Sequence, residues 1–199
     1  ENGSIIGSVF NANTGAFSDV GEFTGIIPSI HKKIVSYLIA LKAANKFPHC
    51  IWPMHCLIGT PGHNVVAPLM EALFEWEIES ISDVNYITKG SNTFVEHFSA
   101  VKAEVSDPSD PSTQINADFI QSLDENDEIV FAGEARSHCE NNTVRDIVKY
   151  SANTDFVKKC VLLTDACDDV PGFESYGEDF VRDMTALGMK TSTTVDYVA

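Results

Sequence analysis

Two hydrophobic periods alternate along this chain. Ile30, Ile34, Tyr37, Leu38 and Leu41 fall on one stripe of a helix that Ser29 can cap, running to about Asn45 before Pro48 stops it. Ile115, Phe119, Ile120 and Leu123 mark a second helix, with Thr113 as its candidate cap. Val144, Ile147 and Val148 share one face of a third, over about His138 to Tyr150, and residues 173–187 read as a fourth. Between the helices stand continuous apolar runs at 128–133 and 161–164. Shorter strand candidates lie at 5–10, 84–88 and 189–195. Strands that are apolar throughout and alternate with helices belong to a parallel sheet covered on both faces. The expected fold is an α/β domain, a three-layer αβα sandwich with a mainly parallel central sheet.

Residues 1–28, rich in Gly, Asn, Ser and Thr, read as an irregular N-terminal segment. No repeat or linker divides the 199 residues, which fit one domain, 1–199. With 44% apolar and 21% charged residues the chain can bury a full core, which argues against wholesale disorder. No run approaches the roughly 20 apolar residues of a membrane span. Thirteen basic residues face 29 acidic ones, a net charge of −16. Such a field repels phosphate backbones and anionic lipid, so nucleic-acid and membrane partners are disfavoured. Cys50, Cys56, Cys139, Cys160 and Cys167 are odd in number and lack paired spacing. They read as reduced thiols of a cytoplasmic protein.

Ligands of parallel α/β sheets bind at the carboxyl ends of strands. Lys89-Gly90, the stretch from Gly133 to Cys139, and Asp165 all lie at such ends. Cys139 sits near a helix N-terminus, where backbone N–H groups favour a thiolate and can stabilise an oxyanion. Position alone leaves a nucleophile and a packed core thiol equally open. Lys89 can reach the same pocket, although most lysines are simply solvated. His55 is a single imidazole beside Cys56, whereas zinc takes three or four ligands. Alone it reads as a hydrogen-bonded core histidine, and Trp52 as a core tryptophan. No phosphate loop, serine nucleophile elbow or basic-aromatic patch is present.

Taken together, three blocks resemble the nicotinamidase and isochorismatase-like cysteine hydrolase family, most closely its larger bacterial-type members. They are 51–62 (Ile-Trp-Pro-Met-His-Cys-Leu-Ile-Gly-Thr-Pro-Gly), Lys89-Gly90 and 132–139 (Ala-Gly-Glu-Ala-Arg-Ser-His-Cys), followed by the strand at 162–166. Residues 95–113 add to the likeness, which covers roughly residues 30–190. The resemblance implies a cysteine-dependent amidohydrolase that cleaves a small pyridine-carboxamide-like substrate to acid and ammonia. Cys139 would form the thioester, Lys89 would hold the thiolate, and backbone N–H groups of Ala135 and Cys139 would form the oxyanion hole. A cis peptide would fall at Glu134-Ala135. Trp52, Glu134 and Ala135 would contact substrate, and His55 would bind a divalent metal, commonly zinc. A homo-oligomer is the expected assembly.

The sequence departs from the family pattern upstream of Trp52. It has neither the Asp-x-Gln-x-Asp-Phe-like strand that supplies the catalytic Asp nor the Asp-x-His pair that completes the metal site. The only aspartate there is Asp19. Two explanations stay open. Either the chain is the C-terminal portion of a longer hydrolase, or residues 1–28 replace the missing region, with 5–10 in the strand position. In the second case the protein is a catalytically silent member serving in binding or assembly.

Overall fold

The computed structural model describes residues 8–11, 16–19, 28–50 and 52–198. Its elements are β1 (Ser8–Asn11), β2 (Ala16–Asp19), α1 (Pro28–Ala43), α2 (Ala67–Ser80) and α3 (Ala117–Asp124). They continue as β3 (Ile129–Glu134), α4 (Asn141–Tyr150), β4 (Cys160–Asp168), α5 (Glu174–Leu187), β5 (Lys190–Ser192) and α6 (Thr194–Val198). These fall into two compact units, one of residues 1–23 and 48–88, the other of residues 24–47 and 89–199.

In the first unit β1 and β2 form an antiparallel pair, with Ser8 opposite Asp19 and Asn11 opposite Ala16. The strand expected at 5–10 coincides with β1 over 8–10, and residues 5–7 lie outside the described residues. Among the described residues it pairs with β2 and is not a member of the three-stranded parallel sheet. Helix α2 goes unread in the sequence for a physical reason. Leu69, Met70, Leu73, Phe74, Trp76 and Ile78 spread round most of its circumference, which blurs the one-sided stripe, and Pro68 in its first turn reads as a break. The strand expected at 84–88 is not one. A strand exists through its neighbours, and this segment has no ladder partner among the described residues. Its anchors run to α2: Val84 N–H donates to Glu77 Oε1 at 2.8 Å, and Tyr86 Oη to Met70 Sδ at 3.9 Å.

The second unit carries the parallel sheet, in the order β3-β4-β5. Ile129 pairs with Cys160 and Phe131 with Leu162, but Gly133 pairs with Cys167, so two residues of β3 span five of β4. The bulge lets β4 reach beyond the regular ladder and set Cys167 and Asp168 beside Gly133 and Glu134. Within the bulge, Asp165 accepts from the N–H and hydroxyl of Thr194 at 2.8 and 2.7 Å and thereby caps α6. The last expected strand, 189–195, is therefore shorter and gives way to this helix.

Val144 and Ile147 of α4, Phe156, Leu162 of β4 and Phe180 of α5 are fully buried and form the centre of the core. Asn116 caps α3, its Oδ1 accepting from Phe119 N–H at 3.1 Å. The expected cap, Thr113, is buried in the preceding turn instead, its hydroxyl donating to the carbonyls of Asp107 and Asp110. Helix α1 is tied to the long loop before α3. Tyr37 Oη accepts from Glu96 N–H at 2.7 Å, Lys33 pairs with Asp107 at 2.9 Å, and Lys46, just past the helix, pairs with buried Glu104 at 2.7 Å.

Gly177 lets α5 approach the end of β4. A Cβ there would lie 2.0 Å from Asp169 Oδ1, and Arg136 grips that carboxylate from its other side. On an open helix face, Gly→Ala stabilises by about 1 kcal/mol. Here Gly177→Ala is expected to lower stability in urea unfolding by roughly 1–3 kcal/mol through overpacking. A more stable variant would contradict the close packing described.

Candidate active site

Cys139 stands on a bend whose geometry follows from its neighbours. Beyond β3 the chain passes the cis peptide between Glu134 and Ala135, where the resemblance implies one. It then makes a π-type turn over Arg136–Glu140 before α4 begins. The helix expected from His138 thus starts three residues later, behind a wider turn of the kind that recurs at functional sites. His138 N–H and Glu140 N–H both donate to the Ala135 carbonyl, at 2.9 and 3.2 Å.

Within this turn side chains alternate in destination. Ser137 and His138 point inward and are buried, whereas Cys139 is half-exposed. Ser137 Oγ accepts from Val170 N–H at 3.0 Å and lies 2.8 Å from His138 Nδ1, to which its hydroxyl can donate. The His138 ring packs among Phe47, Phe98, Phe173 and Tyr176 with centroids 4.8 to 6.0 Å away. Burial holds its pKa below the ordinary histidine value, against the pull of Glu96 and Asp169. His138 is therefore a neutral structural ring. Arg136 closes the opposite side of the turn with a two-pronged ion pair to Asp169, Nε lying 3.1 Å from Oδ1.

The outward thiol meets Lys89. Its Nζ lies 3.5 Å from Cys139 Sγ and donates to the His97 carbonyl at 3.0 Å. Fifty residues of sequence separate the ammonium from the sulfur, and the fold puts them in contact. Two further thiols belong to this unit. Burial pushes Cys160 up to about 11 and Cys167 up to about 12, so both stay protonated at neutral pH.

Glu134 ends β3 opposite Asp168 and is exposed, its carboxyl raised above the ordinary value by partial burial and by Asp168 and Asp169. Trp52 and His55 belong to the first unit. Trp52 is half-buried, and exposed His55 has its Nδ1 2.6 Å from the Pro53 carbonyl. Among the described residues no group of three or more His, Cys, Asp or Glu side chains could hold a metal ion, so they do not supply the ligand set zinc requires. No helix among them is long and apolar enough to cross a membrane. A cavity of about 470 Å³ opens between α4 and α5, lined by Phe47, Asn142, Arg145, Asp146, Tyr176 and Asp183 among others, and neither Cys139 nor Lys89 lines it.

Sequence reasoning missed three parts of this site: the Arg136–Asp169 clamp, the glycine behind it, and the link from His97 to the Lys89 loop. Of the clamp, the charge of Arg136 is visible in the sequence. The other two carry no local signal.

The chain matches no protein-family profile and no curated protein. Its architecture does have counterparts among solved structures. It superposes on the yeast nicotinamidase bound to the inhibitor nicotinaldehyde with a TM-score of 0.52 and 16% identity, covering 74% of this chain and 61% of that one. The nicotinamidase/pyrazinamidase of Acinetobacter baumanii gives 0.49 at 21% identity over 74% and 61% of the two chains. The zinc-bound pyrazinamidase of Pyrococcus horikoshii gives 0.46 at 20% over 84% and 88%. What this chain shares with the yeast structure is an α/β fold. This chain spans 61% of the length of the yeast and Acinetobacter proteins.

Glu140, beside Cys139, offers a stability test of the turn. It is 8% exposed, and neither carboxyl oxygen takes a hydrogen bond of normal geometry. Burial pushes its pKa from 4.5 up to about 7, with the Cys167 thiol and Arg136 opposing and Glu134 and Asp169 adding. The native state therefore binds this proton more tightly than the unfolded chain does. Native stability falls as pH rises from about 4.5 to about 7, and the full penalty persists above that. Glu140→Gln is expected to gain on the wild type by on the order of 2–3 kcal/mol between pH 5 and pH 8 in urea unfolding. A difference that does not change with pH would contradict the buried, unpaired carboxyl.

Proposed function

We propose that this protein is a cysteine-dependent amidohydrolase acting on a small carboxamide of the pyridine-carboxamide kind. The observation that carries the reading is the 3.5 Å contact between Lys89 Nζ and Cys139 Sγ at a bend beyond a parallel strand. The ammonium sets a positive charge beside the reacting sulfur. The thiolate attacks the amide carbonyl, the carbonyl π electrons move onto oxygen, and N–H groups of Ala135 and Cys139 receive the oxyanion. Collapse expels the nitrogen, which leaves as ammonia with the proton the thiol gave up. Water then cleaves the thioester, its two hydrogens going to the carboxylic acid and back to the sulfur. Trp52, Glu134 and Ala135 are assigned to substrate contact. Residues 1–199 are read as one hydrolase domain of a cytoplasmic homo-oligomer.

His55 is retained as the candidate metal ligand. With no partner ligands among the described residues, the reaction is derived without a metal. A catalytically silent subunit is the second reading. It is favoured by one observation: among the described residues, no carboxylate hydrogen-bonds Lys89 or Cys139. General acid–base help of the kind such a carboxylate supplies is worth about 10²- to 10⁴-fold.

The test is ammonia release from nicotinamide and a panel of small amides by the 199-residue chain. Release is expected to disappear in Cys139→Ala and to fall at least tenfold in Lys89→Met. No release from folded wild-type protein would favour the silent subunit. Loss in chelator with recovery on zinc would bring His55 into the site, with its fellow ligands outside the described residues.

A further inference from the structure

The segment that carries Lys89 has no regular structure to steady it. Residues 82–92 belong to no helix or strand, and Lys89 and Gly90 are exposed. An exposed lysine on such a segment would ordinarily sample many rotamers, yet this one is directed at the Cys139 sulfur. Both anchors of the dipeptide come from one residue. The His97 carbonyl accepts from Lys89 Nζ at 3.0 Å, and His97 Nδ1 accepts from Gly90 N–H at 3.3 Å. Gly90 sits at φ 76, a left-handed conformation that turns its N–H toward the ring and suits glycine.

The ring is suited to this acceptor role. With Nδ1 accepting, the proton of the neutral imidazole lies on Nε2, which is sealed from solvent. Partial burial, with Lys89 and Lys102 nearby, disfavours the imidazolium and outweighs the opposing charge of Asp146. A protonated ring would turn Nδ1 into a donor facing another donor.

We propose that His97 is the positioning residue of this site, its main-chain carbonyl directing the Lys89 ammonium at the Cys139 sulfur while its ring Nδ1 fixes the backbone behind that lysine. The inference rests on the reading of Cys139 and Lys89 as a reactive pair. Substitution can separate ring volume from hydrogen bonding. Asn places its side-chain oxygen near the position of Nδ1 and keeps an acceptor, whereas Phe keeps the ring and has none.

The measurement is iodoacetamide alkylation of the full chain at pH 7, read by mass spectrometry for each cysteine peptide. Fully buried Cys160 serves as the check that each variant is folded. His97→Phe is expected to slow Cys139 alkylation about fivefold, the worth of one hydrogen bond of about 1 kcal/mol. His97→Asn is expected to stay within about twofold of wild type, well inside that margin. Lys89→Met is expected to be slowed at least as much as His97→Phe, and the double variant no further than Lys89→Met alone. An unchanged His97→Phe, an Asn variant as slow as the Phe variant, or additive effects in the double variant would each overturn the proposal. Alkylation needs no turnover. A wild-type chain that releases no ammonia would sink the hydrolase reading while the alkylation series still decides the role of His97.

Discussion

Burial of Ser137 and His138 fixes the bend on which everything else at this site depends. Adjacent side chains in a tight turn cannot all face one way. Once these two are held beneath Phe47, Phe98, Phe173 and Tyr176, with Ser137 bonded to the Val170 backbone, Cys139 is left at the surface. The apolar cost of exposing an aromatic cluster of this kind is several kcal/mol, far more than any rotamer preference of a thiol. The position of the sulfur is therefore set from below, by packing, rather than by its own contacts. Arg136 and Asp169 brace the turn from the side, and the glycine of α5 makes room for that brace.

The electrostatics of the bend are divided in the same way. On its buried side Glu140 and Cys167 are driven toward their neutral forms by desolvation. On its open side the sulfur of Cys139 meets an ammonium. A single turn thus keeps one thiol protonated in β4 and offers another a cation, and the division follows from which side of the turn each faces.

Much of this was legible in the sequence, and the limits have physical causes. The runs at 128–133 and 161–164 announced β3 and β4 because both read as continuous apolar stretches. Strand β4 is buried on successive residues from Cys160 to Leu162, whereas β3 exposes Val130 and Ala132 on one face. The stripe of Val144, Ile147 and Val148 announced α4, and the placement of Cys139 after a buried strand marked it as a candidate. The segment 84–88 looked like a strand because β-branched and aromatic composition cannot reveal that no partner strand lies beside it among the described residues. Helix α2 escaped because its apolar residues are not confined to one face. Contact between Lys89 and Cys139 spans fifty positions; their expected places at strand ends put both within reach of one pocket, and the resemblance paired them. The anchoring by His97 could not be read at all, since a main-chain carbonyl has no signature in sequence.

On the proposed function, an amide substrate acylates the sulfur of Cys139. The most direct test of this step is acid quenching of the chain during incubation with nicotinamide, followed by peptide mass spectrometry. The account predicts a nicotinoyl group on the peptide holding Cys139 and on no other, lost on neutral hydroxylamine treatment as a thioester is. Ammonia released with Cys139 unmodified, an acyl group on a different residue, or no adduct and no ammonia would contradict it.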